Sequence, residues 1–559
     1  MKDIDMTADL IVTNARVLTM DAIRPRAEAV AIGGGRILAV GDRTDVEALA
    51  GKGTRIIDAS GRTLLPGFFE SHLHLVLGGA ELAHLQLAGV YGAAALREAF
   101  TAYSRQNPDL PLLMAQGADY GMFGGRPITR HDLDAVIADR PIAMTAYDHH
   151  TVWANTAALQ AAGLLHGRAL PEGHVVVMGP DGVATGELQE FEAFAPVQEL
   201  GGELRLYLGI ATGAEPDPWP SAAEREIDKA KIANGLAHCA AQGITSMVNM
   251  DGNRYTLELL REMQIEGRLT ARVKVPFHFK PEMELSELDR AEAMTRDFDD
   301  EWLQSGFVKM FMDGVMDSGT AWRLDDYPGQ PGHRSVPLFD PERFKNIATE
   351  IDRRGLQIAV HAIGDAAVRA TIDGYEAAQQ RNGKSDRRNR IEHIELIDRS
   401  DVPRLGLLGI VASLQPSHPA GAMDFPLEPS IHKVGRSRLK DSFLVKSLVE
   451  AGAPLAFASD WPVTDVSVLR NLKAALTRKP YEGADDERVD LMTALHAYTA
   501  GGAWAAHREN LTGRLAPGLA GDLVLLGGDI ESVAPEGIDK LGIALTVCGG
   551  RITHEAPAI

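Results

Sequence analysis

The chain has 559 residues, 45% of them apolar and 24% charged, with a net charge of −21. The length exceeds one average domain, the composition is that of a soluble globular protein, and the acidic balance disfavours nucleic acid and other phosphate-rich partners. Two distant cysteines, Cys239 and Cys548, exclude a disulfide framework or a cysteine zinc site and fit a reducing compartment. The start lacks a signal-peptide pattern, and no apolar run approaches the roughly 20 residues of a membrane span, so a cytoplasmic chain without a membrane partner is expected.

In chain order, the first 65 residues read as short strands. ADLIVTNARVLTM, AEAVAIGGGRILAVG and TRIIDASGRTLLPG are rich in Val, Ile and Leu and broken by Gly, Asn and Asp. The far end, GRLAPGLAGDLVLLGG and GIALTVCGGRITH, has the same texture. Residues 1–65 and 510–559 are therefore expected to build one small β-sandwich domain from both termini. Residues 66–509 alternate apolar runs with amphipathic stretches, the pattern of parallel β/α units. Eight candidate strands are 64–75, 244–250, 272–279, 306–314, 356–365, 390–396, 409–417 and 454–462. Helical periodicity over 341–355 and 365–380 opens on Pro or Asp, and the first of these stops at a Gly. With no Gly-rich dinucleotide turn after the first strand, the expected fold is a (β/α)₈ barrel of TIM type.

One interval breaks the rhythm. About 165 residues separate the first two strands, far more than a normal connection. This segment contains AYDHHTVWANTAAL and HVVVMGPDGVATGELQE, so residues 80–225 are expected to be a structured insertion. Following a barrel strand, it would emerge on the C-terminal face as a lid or substrate subdomain. The basic run RNGKSDRRNR (381–390) reads as a solvated loop.

His72 and His74 stand two apart at the end of the first strand, so both imidazoles face the same side. One such pair is close to what chance supplies. His361 in AVHAIGD, His393 in RIEHIEL and Asp460 in AFASDWP change the odds. Each ends an apolar run, where an unpaired polar group is costly, and imidazole nitrogen with carboxylate oxygen suits zinc and similar divalent ions. Lys309, inside GFVKMFMDG on strand four, either pairs with Asp313 or is neutralised and carboxylated by CO₂ into an anionic bridge between two cations.

These residues resemble a known family. The HLH after PGFFES, the strand-four lysine, the single histidines of strands five and six and the strand-eight aspartate are similar to the amidohydrolase superfamily. DHHTVWANTAAL, VKMFMDG, AVHAIGDAAV, RIEHIEL, ASDWPV and GRLAPGLAGDLVLL narrow the resemblance to the amidohydrolase 3 branch, which includes YtcJ-like proteins and N-substituted formamide deformylase. The resemblance implies a binuclear centre. His72, His74 and Asp460 would bind the more buried metal, carboxylated Lys309 would bridge, and His361 and His393 would hold the second. Glu70 stands where relatives commonly have Asp, a departure expected to leave the ligands intact.

The reaction so implied is hydrolysis of a linear amide, N-acyl or N-formyl C–N bond by a metal-bridging hydroxide, with Asp460 moving the proton. His150, Asp313, Trp153 and Trp461 are candidate substrate contacts, and a small-molecule substrate and a homo-oligomer are the expected partners. An esterase or lactonase would use the same centre. A one-metal deaminase would carry a glutamate three residues after His361, where Gly364 stands, followed by Asp365. A silent binding protein would not need an intact ligand set.

Overall fold

The computed structural model describes residues 7–557 apart from 148, 172, 173, 424 and 426. Two compact units divide the chain: one comprises residues 1–75 with 236–559, the other Val76–Gly235.

In the first unit, parallel strands follow one another in chain order. Phe68–Leu73, Ile244–Asn249 and Arg272–Lys274 pair side by side. Phe307–Phe311, Gln357–Ala362, Arg390–His393, Val411–Leu414 and Leu455–Phe457 continue as a second parallel run. The two runs meet at the third strand. Pro276 offers no N–H to a ladder; before it Arg272–Lys274 pairs towards Leu303–Gln304, and beyond it Phe277–His278 pairs with Phe307–Phe311. The ends of the two runs are also bonded. Asp460 N–H donates to the His72 carbonyl at 2.9 Å and His74 N–H to the Trp461 carbonyl at 2.7 Å. All six residues of Phe68–Leu73 are buried, as expected of a strand covered on both faces.

The expected strand 64–75 is two strands. Thr63–Pro66 pairs with Leu523–Leu526 in a six-stranded sheet that also holds Arg16–Leu18, Ile543–Cys548 and Arg551–Glu555. The chain then passes to the parallel strands at Gly67, where a Cβ would lie 2.2 Å from Thr245 Oγ1. Only glycine permits that approach. Leu10, Val12, Val17 and Ile32 share one buried cluster with Leu523, Leu525, Leu545 and Val547, so chain ends distant in sequence pack on each other.

The expected helices form at Pro341–Arg353 and Asp365–Asn382. Asp340 caps the first by accepting from Arg343 N–H at 2.9 Å. The second unit has a mixed six-stranded sheet running Val175–Met178, Ala184–Gln189, Thr151–Ala154, Ile142–Ala146, Leu113–Ala118, Leu85–Gln86, with two apolar clusters of its own. Among the described residues no helix is long and apolar enough to cross a membrane.

Candidate metal centre

Strand alternation carries Glu70, His72 and His74 to one side of the first parallel strand. His72 Nε2 lies 3.3 Å and His74 Nε2 3.2 Å from Asp460 Oδ1. All three residues are buried, yet that oxygen makes no hydrogen bond. Ligands held about 2.0–2.1 Å from one tetrahedral ion lie about 3.3–3.4 Å from each other, so each of the two imidazole nitrogens stands at a co-ligand separation from Asp460 Oδ1. His393 joins them: ligand atoms of His72, His393 and Asp460 lie within 4.8 Å of one another, and the His361 and His393 ring centres are 4.5 Å apart.

Three of the imidazoles have hydrogen-bond partners. His72 Nδ1 bonds Glu392 Oε2 at 2.8 Å, His393 Nδ1 bonds Gln415 Oε1 at 3.0 Å, and His361 Nε2 bonds the Gly314 carbonyl at 3.1 Å. At His72 the partner is a carboxylate acceptor, so the ring proton sits on Nδ1 and Nε2, which faces Asp460, keeps its lone pair, the arrangement that orients metal-binding histidines. His74 Nδ1 faces Asp251 Oδ1 at 3.5 Å.

Two of the converging residues sit on strained backbone. His393 has φ of +77° and Asp460 of +60°, left-handed values that cost of order 1–3 kcal/mol in a non-glycine residue. At His393 the strain has a visible effect. Neighbouring strand residues face opposite ways, yet Glu392 reaches His72 while His393 comes within 3.9 Å of Asp460 Oδ2.

Charge is distributed unevenly. Burial opposes ionisation of Asp460, but His72, His74 and His393 outweigh it and hold the carboxyl well below its usual range. Burial also disfavours a charged His74, yet Asp251 and Asp460 raise it to about 9. Burial, with Lys309 adding to it, lowers His361 to about 3. Lys309 is 1% exposed and its Nζ makes no hydrogen bond; the amine lies over the Phe311 ring at 4.7 Å. Burial lowers it to about 8, against the pull of Glu392 and Asp460. The ordinary value is 10.5, so between these limits the folded chain has released a proton that the unfolded chain keeps. Stability of the metal-free protein is therefore expected to rise with pH across that window, Lys309 contributing up to about 3 kcal/mol. Urea unfolding of wild type and Lys309→Met should differ in slope there.

Asp313 does not pair with Lys309. Its carboxylate accepts from the N–H groups of Ile363, Gly364 and Trp322 at 3.0, 2.8 and 2.8 Å, pinning the ends of strands four and five together. Trp461 is buried, its ring 5.3 Å from that of His238. His150 and Trp153 belong to the second unit. His150 Nδ1 lies 3.1 Å from both Glu190 carboxylate oxygens, and Trp153 packs in a core with Phe100, Leu113 and Met144. Asp148, which opens their motif, lies outside the described residues.

Several residues went unread in the sequence. Arg390 closes the run expected to be a solvated loop, but it is 1% exposed. It donates from Nε to Glu392 Oε1 at 2.8 Å and from Nη2 to the Ser71 carbonyl at 2.7 Å and Ser413 Oγ at 2.8 Å. Arg390 thus braces Glu392, which braces His72. The one available signal was a pair of charges, Arg390 and Glu392, at alternate positions of a buried strand. Glu392→Ala would leave Arg390 buried without its counter-ion, and a loss of about 3–5 kcal/mol is expected in urea unfolding. Glu70 Oε1 accepts from Ser459 N–H at 2.8 Å and His72 N–H at 3.3 Å, tying the segment before Asp460 to the first strand.

The whole of this arrangement lies in a stretch with known relatives. Residues 55–554 match the amidohydrolase family. The chain belongs to that family. It is 29% identical to LONG AFTER FAR-RED 3 of Arabidopsis thaliana, over 93% of this chain and 87% of that protein. YtcJ of Bacillus subtilis is 28% identical, over 96% and 98%. N-substituted formamide deformylase of Arthrobacter pascens is 25% identical, over 98% of both. Among solved structures, a metal-dependent hydrolase from Pyrococcus horikoshii superposes with a TM-score of 0.73 at 23% identity, covering 94% of this chain and 99% of that one. The atrazine chlorohydrolase TrzN of Arthrobacter aurescens, in complex with zinc, reaches 0.54 at 15% identity, covering 98% and 95%. This amidohydrolase-family chain is thus a hydrolase with an α/β fold, as its motifs led one to expect.

Proposed function

We propose that this amidohydrolase-family enzyme cleaves a linear amide, N-acyl or N-formyl C–N bond at a centre of two divalent cations, most simply zinc. The carrying observation is the convergence of His72, His74 and Asp460 at 3.2–3.3 Å without a hydrogen bond to Asp460 Oδ1. These three would hold one ion. His361 and His393 would hold the other, with Lys309 as the bridge after its amine adds to CO₂ and loses a proton. A buried, unbonded amine lowered towards neutrality by burial supports that last step. The same reading closes the eight parallel strands into a barrel, supported by the bonds between Asp460 and His72 and between His74 and Trp461, with the terminal sheets as a separate β-domain.

When bound, two such cations acidify water towards neutral pH and polarise an acyl oxygen. The protein's own part is to hold and move protons. Asp460 receives the proton of the attacking water and passes it to the departing nitrogen. Glu392 keeps His72 in one tautomer. The deformylase relative supports an N-formyl or N-acyl substrate, and the zinc-bound hydrolase supports the metal.

Metal analysis of the purified protein, followed by turnover of matched amides and esters, tests the reading. Chelation is expected to abolish amide turnover and zinc to restore it. Ester turnover without amide turnover would establish the esterase instead, and a protein that retains no metal would end the proposal.

A further inference from the structure

The basic run 381–390 does more than cross the surface. Its later residues form one wall of a cavity of about 340 Å³, a volume in the range of small-molecule sites. The cavity lies where strands six and seven begin. Asn389 precedes Arg390–His393 and Ile410 precedes Val411–Leu414, so about 13 Å of strand separates Asn389 from His393 at the far end. The cavity is distinct from the metal centre.

The carboxylates that line it are already taken. Asp352 accepts from Asn382 Nδ2 at 2.8 Å and faces Arg387 Nε at 3.3 Å. Asp386 accepts from Arg388 Nε at 2.9 Å and Nη2 at 2.8 Å. Arg388 also bonds Glu509 at 2.7 Å and the Trp504 carbonyl, and it lies over the Trp504 ring at 4.3 Å. This wall is thus held in place before any ligand arrives. Donors are left over. Asn389 is 7% exposed, and its Oδ1 accepts from Ile358 N–H at 2.9 Å. That bond fixes the amide's orientation, and Nδ2 has no partner among the described residues. Lys384, exposed on the rim, makes no ion pair among them. A nearly buried amide donor beside an ammonium calls for an acceptor of negative charge. One uncompensated cation suits one charge, since a phosphate dianion would also meet Asp352 and Asp386. Leu408, Ile410 and Trp504 supply apolar lining.

We propose that this cavity binds a small organic monocarboxylate, its oxygens on Lys384 and Asn389 and its apolar body against Leu408, Ile410 and Trp504. The site needs no metal, so it stands or falls apart from the reading of the metal centre.

Calorimetry on the purified full chain, with 3-phenylpropanoate as the probe, tests this. Wild type is expected to bind it at least about tenfold more tightly than neutral 3-phenylpropanol, acetate or inorganic phosphate, a factor that one charge-assisted hydrogen bond supplies. Lys384→Gln should weaken binding by about tenfold. Asn389→Asp, which keeps the acceptor for Ile358 N–H, should do the same or more. A carboxylate held at the metals instead would be indifferent to both substitutions and released by chelation. That outcome overturns the proposal, as does equal affinity for the alcohol or for phosphate, or no binding at all. Lys384 is exposed, so Lys384→Gln decides the question if Asn389→Asp fails to fold.

Discussion

Asp460→Asn is expected to lower kcat for amide hydrolysis by about 10³-fold with the fold preserved. Positioned proton transfer alone contributes about 10²–10⁴-fold, and Asp460 is proposed both as the proton carrier and as a metal ligand. Its Oδ1 stands between two imidazole nitrogens at 3.2 and 3.3 Å, so an amide there removes the negative charge that the surrounding histidines stabilise. The residue is 6% exposed and the substitution nearly isosteric, so unfolding midpoints should change little. Turnover measured beside metal content and thermal unfolding separates the effects. Activity within tenfold of wild type would remove Asp460 from the reaction.

Lys309→Ala should be still more damaging to metal retention. If the carboxylated amine bridges two ions, deleting it takes one ligand from each, and the metal content should fall from about two ions per chain to one or fewer, with kcat down by at least about 10²-fold. Stability should move the other way. Nζ is buried without a hydrogen bond, so in the metal-free protein the amine is an unsatisfied polar group, and its removal trades function for stability. Lys309→Met, which fills the space better, should show the gain more clearly. Metal uptake by wild type in CO₂-depleted buffer should be restored by bicarbonate, whereas Lys309→Ala should not respond. Full metal occupancy in Lys309→Ala would contradict the bridge.

Much of the scaffold was legible because its cues are local. The alternation of buried runs with helical stretches located the parallel strands, and capping residues located helices such as Pro341–Arg353 to within two positions. The boundary at Gly67 was not legible. A continuous apolar run does not say that its first three residues pair with a strand near residue 525 and that the six after Gly67 belong to a strand pairing near residue 247. That division depends on a backbone approach to Thr245 that exists only once the sheets are assembled. Within the site, spacing alone marked His72 and His74 as a pair on one face. Arg390 and Glu392 escaped because a basic run next to a strand looks like a loop until its last arginine finds a buried acid.

By itself, the amino-acid order determined the chemical inventory and its placement: four histidines and an aspartate towards the ends of apolar runs and a lysine inside one, each in a run too apolar to hold it unpaired. Tertiary structure alone decided how those groups face one another. His393 turns inward through a left-handed backbone that regular alternation would not allow, and Asp313 is taken up by three amides instead of by Lys309. Side-chain type and periodicity are properties of neighbours along the chain, whereas these contacts join residues many tens of positions apart, and their geometry is set by packing.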